Sequence, residues 1–512
     1  MIAAWLRLLL TAVPLLLTGC TREYLNMPLQ GHASNADVLK AVTAHTSGEP
    51  FIVMSISGGG VRATGLGYAV LDELAKVPDR SGRTFADDIR IISSASGGSV
   101  AAAWFGLKGT NGLPALRDNF ITQGNMGALE SQLLNPVTLA RLTGPSYSRI
   151  DVLRERFDST LFHEATFADL YSRPGAPLVI LNATDMAAGE VFSFLPSRFD
   201  DLCSDLSRFP LAGTVAASAA FPVALTPVTL KNWSVQAGCP VNPYPPSILS
   251  ALIASDRYIN LAKYKLALET QRLRGCAFPC VDPSRRSPEV LYRHLLDGGL
   301  VDNLGTSAIL QELFTVDPSS ELRQLNDGQI ANLVAIDVIA RSSAPSPLST
   351  QPSTPSVISM VGAVIDNPID SATRGNSTLF QDAAANLRRD GQFRNLAPAE
   401  FNPPTGVYSI QVDPDQFDST VSDQLALRVA FEKILTSWTM SADEFQTVRH
   451  AAHRLLYLHP CFVRLVMLHS SASIETLAKD ARLGDPTKCD SDASAQAQTF
   501  SKPSGRSVST LH

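Results

Sequence analysis

The stretch that most constrains the fold runs from Phe51 to Ser99. Phe51-Ile-Val-Met-Ser-Ile-Ser57 is a nearly continuous apolar run, the pattern of a strand buried on both faces of a parallel sheet. Gly58-Gly-Gly60 ends it, and Tyr68 to Leu74 continues as a helix with an apolar side. Ile89-Arg-Ile-Ile92 supplies the next buried strand and closes a parallel strand-helix-strand unit. That strand runs into Ser94-Ala-Ser-Gly-Gly98 and a small-residue apolar segment from Val100 to Leu107, which predicts a sharp strand-to-helix turn with Ser96 at its apex.

Acyl transfer needs a nucleophile, a base for its proton, and donors aimed at the oxygen that becomes negative. Ser96 is the candidate nucleophile. The backbone amides of Gly58, Gly59, Gly60 and Gly97 are the candidate oxyanion donors, because absent side chains let a substrate approach the chain. Two other glycine-loop chemistries were weighed. Gly58-x-Gly60-x-x-Ala63 formally matches a dinucleotide fingerprint, but the next strand ends in Ser93 and Ser94 rather than an acid for the ribose. No Gly-Lys-Ser/Thr follows, which excludes a nucleotide-phosphate loop.

The residues Gly58-Gly-Gly-Val-Arg62, Ser96 in its turn, Thr184-Asp185 with Gly189-Glu190, Ser218-Ala-Ala-Phe-Pro222 and Asp297-Gly-Gly299 occur in one order along the chain. In that order they resemble the patatin-like phospholipases, over roughly Phe51 to Gly305. The resemblance implies a three-layer α/β/α fold with a mostly parallel central sheet, helical insertions and a helical C-terminal region. It implies a lipid acyl hydrolase with a Ser96–Asp297 dyad and no cofactor or metal. It also implies that Arg62 stands where the family has a basic residue, either supporting the loop or acting directly. Two positions depart from the family pattern: Ser94 replaces the first glycine of the turn, and Ser57 stands where Asp is frequent. Asp-Gly-Gly is also a common turn. His294, three residues before Asp297, points to the opposite face of an extended strand and is a poor base.

The N-terminus sets the expected compartment. Met1 to Thr18 carries one positive charge, Arg7, and an apolar run, then Leu17-Thr-Gly-Cys20. That is signal-peptide form ending in a lipobox, so residues 1–19 are expected to be removed and Cys20 lipidated, with an ordinary signal peptide as the rival. Thr21 rather than Asp follows, which implies the outer membrane of a bacterial envelope in a Gram-negative host. Residues 20–49 are expected to be a polar tether and 50–483 the hydrolytic domain, with an insertion at about 240–285 and a solvated loop at 341–356. The expected disordered tail is 484–512. Within the insertion a stripe at Leu252, Ile259, Leu266 and Leu273 fits a helix over 247–274, either a lid or a core element.

Composition narrows the rest. A 512-residue chain with 45% hydrophobic side chains buries a large core, and a net charge of -6 leaves no electrostatic footprint for nucleic acid. The six cysteines besides Cys20 suit disulfides in an oxidising envelope, with Cys203–Cys239, Cys276–Cys280 and Cys461–Cys489 suggested by proximity. Zinc is disfavoured because no CxxC pair or suitable His spacing accompanies them. The leading expectation is a membrane-anchored serine acyl hydrolase of phospholipid or lysophospholipid esters. The rivals are a catalytically silent envelope lipoprotein that binds lipid or a partner, and an acyl transferase.

Overall fold

The computed structural model describes residues 24–30, 35, 50–222, 224–235, 290–313, 332–341, 369, 371–378, 381 and 406–489. The signal segment with Cys20, most of the insertion including its 247–274 stripe, the loop after 341, Cys239, Cys276, Cys280 and the chain beyond 489 lie outside these residues.

One eight-stranded sheet organises the chain: β1 (Pro50–Ile56), β2 (Ile89–Ala95), β3 (Leu178–Asp185), β4 (Glu190–Ser193), β5 (Val228–Lys231), β6 (Tyr292–Asp297), β7 (Asn332–Val338) and β8 (Gly406–Val412). Their order is β5-β6-β3-β2-β1-β7-β8, with β4 also paired to β3. Strands β3, β2, β1, β7 and β8 are parallel, and β4, β5 and β6 join antiparallel. Every residue of β1, β3 and β7 is buried, as unbroken apolar runs require of strands covered on both faces.

The helices used below are α1 (Gly60–Ala75), α2 (Gly97–Lys108), α3 (Asn125–Leu133), α4 (Pro136–Leu142), α5 (Arg149–Phe157), α6 (Leu211–Ser218), α7 (Ser422–Glu432), α8 (Ala442–Leu458) and α9 (Pro460–His469). The last three form the helical C-terminal region. Ser441 caps α8 through the expected box with Glu444, and Phe445, Val448, Ala452 and Leu455 are buried along it. The mostly parallel sheet with flanking helices is the α/β/α architecture that the resemblance implied.

Helix α6 ends at Ser218, and the Gly298 and Asp297 amides donate to the Ser218 and Ala220 carbonyls. Two local expectations need correction. The segment after Gly484 is held as far as Cys489, which is disulfide-bonded to Cys461; Cys203 is also in a disulfide. The expected tether is docked over residues 24–30 rather than free. Asn26 is fully buried, donating to Ser204 and the Lys231 carbonyl and accepting from the Lys231 amide, while Tyr24 stacks on Tyr292. Asn35 bonds Asp200 and the Leu206 amide.

Beside the strand ends, Asp337 of β7 is buried and accepts from Ser55 of β1 at 2.5 Å and Ser377 at 3.3 Å. Burial pushes its carboxyl up to about 7, the two hydroxyls pull it down, and the charge of Asp302 pushes it further up. The native state therefore holds this proton more tightly than the unfolded chain, and stability falls as pH rises from about 4 through 7. Asp337→Asn cannot lose a proton. Its thermal midpoint relative to the parent is expected to be higher at pH 8 than at pH 5, read by calorimetry at both pH values.

Candidate active site

β2 delivers Ser96 in a conformation that a side chain rarely accepts, φ 50° and ψ -123°, between the strand and α2. Such a non-glycine residue costs about 1–3 kcal/mol and persists only where its surroundings hold it. What holds it is a chain of serines. The Ser96 amide donates to Ser218 Oγ at 2.8 Å, and Ser218 Oγ donates to the Asn182 carbonyl at 2.6 Å. Ser99 Oγ lies 2.8 Å from Ser218 Oγ and 3.1 Å from Ser94 Oγ. Ser94, where the turn departs from the family pattern, is thus a buried and hydrogen-bonded part of this support. Gly97 has no room for a side chain, since a Cβ there would sit 1.9 Å from the Gly60 carbonyl oxygen.

Register brings the acid to the turn. On β3, Asn182 pairs with Ala95, the residue before Ser96, and the next residue, Ala183, pairs with Asp297 of β6. The Ser96 side chain and the buried Asp297 carboxylate line the same cavity, close enough for the serine hydroxyl to favour the ionised acid. Asp297 Oδ1 also accepts from the Gly299 amide at 2.8 Å. Burial pushes the Asp297 carboxyl up to about 6, against the Gly299 and Ser96 hydrogen bonds that pull it down. His294 bonds Thr229 at 3.0 Å, and among the described residues no histidine lines the cavity at Ser96. The buried Arg293–Asp185 ion pair, at 2.5 Å, ties β6 to the end of β3 beside the acid.

The four glycine amides are not equivalent. Gly58 N–H is already taken, 3.0 Å from both the carbonyl and the Oδ1 of Asn303. The amides of Gly59, Gly60 and Gly97 donate to no described group, so three of the four expected donors are open. Arg62 donates to the Ala340 carbonyl at 2.8 Å and the Ile434 carbonyl at 2.6 Å, and lies 5.9 Å from the Phe431 ring centroid. It clamps the start of α1 to the end of β7 and to the chain after α7, so of its two expected roles the geometry gives it loop support.

Two residues of this arrangement were not singled out from the sequence. In the sequence Ser218 is visible only as the first residue of Ser218-Ala-Ala-Phe-Pro222. Asn303 holds Gly58 with its carbonyl and side chain while its Nδ2 donates to Thr373 at 3.0 Å, so the turn carrying Asp297 also fixes the glycine loop. The signal available was its place six residues after Asp297, on the same turn. Asn303→Ala is expected to lower kcat on an acyl ester by about 10-fold to 100-fold with KM changed less than threefold, since a displaced loop weakens binding of the transition state and not of the ground state. Steady-state kinetics beside a melting curve check it.

These groups sit on a cavity of about 630 Å³. Its wall is largely apolar, with Leu129, Leu133, Val152, Leu153, Phe221 and Trp438, and Glu130, Arg149 and Arg341 also line it. Helices α3 and α5 supply one side of that wall through Met126, Leu129, Leu133, Val152 and Leu153. Ser96, 8% exposed, lines the cavity together with Asp297.

A family model described as patatin-like phospholipase matches residues 54–244, a span holding the glycine loop, Ser96 and Ser218. Among solved structures, human GIVD cytosolic phospholipase A2 aligns at 11% identity and a TM-score of 0.38, covering 85% of this chain and 64% of that one. The same human protein in complex with methyl gamma-linolenyl fluorophosphonate aligns at 11% identity and 0.36 with the same coverage. The chain thus spans less than two thirds of the length of those structures. No curated protein matches the sequence. On its sheet and its family match, this chain carries a patatin-like phospholipase domain over residues 54–244.

Proposed function

We propose that the chain is an envelope-anchored serine hydrolase that cleaves acyl esters of phospholipids or lysophospholipids through Ser96 and Asp297. The observation that carries this reading is the strained Ser96 sharing the wall of one apolar cavity with the buried Asp297 carboxylate and the glycine loop. Asp297, ionised above about pH 6, takes the Ser96 proton as Oγ bonds to the ester carbonyl carbon. The carbonyl oxygen becomes an oxyanion held by the Gly59, Gly60 and Gly97 amides. The C–O bond to the leaving alcohol then breaks, and Asp297 returns the proton to that alcohol. Water, giving its proton to the same carboxylate, releases the fatty acid from the acyl-enzyme.

The anchor in this reading is a lipid on Cys20, supported by Leu17-Thr-Gly-Cys20 and placing the protein in a bacterial envelope, at the outer membrane of a Gram-negative host. With Tyr24 docked on the body, only residues 20–23 separate anchor from domain, a reach of at most ~14 Å. The anchor would therefore hold the enzyme close against the membrane.

Mass spectrometry of phosphatidylcholine and lysophosphatidylcholine vesicles incubated with the purified protein tests the reaction. Free fatty acid with the matching deacylated lipid is the expected product. If added alcohols capture the acyl group in place of water, the protein is a transferase. If neither product forms, the proposed reaction is wrong.

A further inference from the structure

Exposed apolar side chains adjoin the residues that line the Ser96 cavity, forming a rim on two stretches of chain. Met126, Leu134, Val137, Leu139 and Leu435 are 41–76% exposed, and they flank the residues that line the cavity. On one side, Met126 lines the cavity itself, and Leu134 directly follows the lining residue Leu133. On the other, Leu435 directly precedes the lining residues Thr436, Ser437 and Trp438. The two sides are joined, since Gly124 bridges to Thr439 and the Met126 amide donates to Thr439 Oγ1 at 3.1 Å. Helix α4 stands out from this rim, burying only Thr138 although it carries Val137, Leu139 and Leu142. A soluble surface has no use for such a helix, and large exposed apolar groups at a cavity mouth mark an interaction site.

Resting on the reading of the cavity as an acyl-ester site, we propose that this rim is a membrane-contact surface which inserts into the leaflet supplying the substrate, independently of the N-terminal anchor. The occupant follows from continuity. The apolar wall at Leu129 and Leu133 runs outward onto Leu134 and α4, so a fatty acyl chain passing from a leaflet to Ser96 meets apolar surface along that path. Charge points the same way. The chain is net negative, and the charges at the cavity include both Glu130 and Arg149, with Arg341 paired to Asp413 and Asp415. Insertion is driven by apolar burial into a zwitterionic leaflet, and raised salt leaves it unweakened, since screening acts on charges.

Two measurements on the full chain test this. In a Ser96→Ala background, Val137→Trp is mixed with phosphatidylcholine vesicles containing brominated lipid, beside Met467→Trp as an exposed control elsewhere. A blue shift and at least a twofold quenching at position 137 only, retained in 0.5 M salt, is expected. Equal responses at both positions, or none, would overturn the proposal. So would an emission already blue-shifted without vesicles, which would mean that another part of the chain covers the rim.

The second measurement replaces Leu134, Val137, Leu139 and Leu435 together by Ser, none of them a lining residue. Hydrolysis of vesicle lipid is expected to fall at least tenfold while kcat/KM on a water-soluble short-chain ester stays within twofold. An unchanged vesicle rate, with or without loss of a dimer in light scattering, sinks the proposal, the dimer case assigning the rim to a second copy. Because the quenching uses an inactive background, failure of the Ser96 chemistry leaves it readable. Failure of the rim in turn leaves the soluble-ester rate intact.

Discussion

Ser96→Ala is expected to lower acyl-ester hydrolysis by on the order of 10⁴-fold or more and to abolish labelling by a fluorophosphonate, because the proposed reaction forms its acyl-enzyme on the Ser96 hydroxyl. The turn makes this result interpretable as chemistry. Ser96 holds a positive φ, its amide bonds Ser218, and its side chain shares the cavity wall with Asp297. Alanine keeps the backbone and the amide bond and removes only the hydroxyl. Ser96→Gly goes further, because glycine adopts this φ without the strain of a Cβ. It is expected to be equally inactive with a melting temperature at or above that of the parent, the pattern of a site that trades stability for function. Labelling retained by either variant would remove Ser96 from the role of nucleophile.

The strand, glycine loop and turn were legible in the sequence because their information is local. Unbroken apolar runs specify strands buried on both faces, and glycines at 58–60, 97 and 98 mark close backbone approach. The 1.9 Å that would separate a Gly97 Cβ from the Gly60 carbonyl shows how little latitude the second of these sites has. Asp297 was legible only as a motif, since its approach to Ser96 depends on a register across β3 that no local pattern states. Asn303 and Ser218 act through hydrogen bonds to residues 245 and 122 positions away, contacts with no periodicity to read. The docked N-terminal segment failed for the opposite reason. Its polar composition reads as solvated, yet Asn26 and Asn35 are buried, their amides satisfied by groups roughly 165–205 residues downstream. The insertion and its stripe lie outside the described residues, and the choice between lid and core rests where the sequence left it.

Asp297→Asn is the other large effect expected, a fall of about 10²-fold to 10⁴-fold in kcat/KM, the usual contribution of a general base. The side chain keeps its shape and can still accept from Gly299, so the loss reports the proton and not the turn. The pH profile gives the sign. Burial raises the Asp297 carboxyl to about 6, and the base is competent only when ionised. In the parent, kcat/KM is therefore expected to be level above pH 7 and to fall tenfold per unit below about 6. In Asp297→Asn that limb should vanish from the residual rate. A histidine base would produce a limb in the same range, so position alone does not discriminate. Temperature does, because a carboxylate's limb stays nearly fixed on warming while an imidazole's moves to lower pH. His294→Ala completes the comparison. Its ring is bonded to Thr229 and absent from the cavity, so a change below threefold is expected. A limb that survives Asp297→Asn and disappears in His294→Ala would overturn the dyad in favour of a histidine reached by rearrangement of β5 and β6.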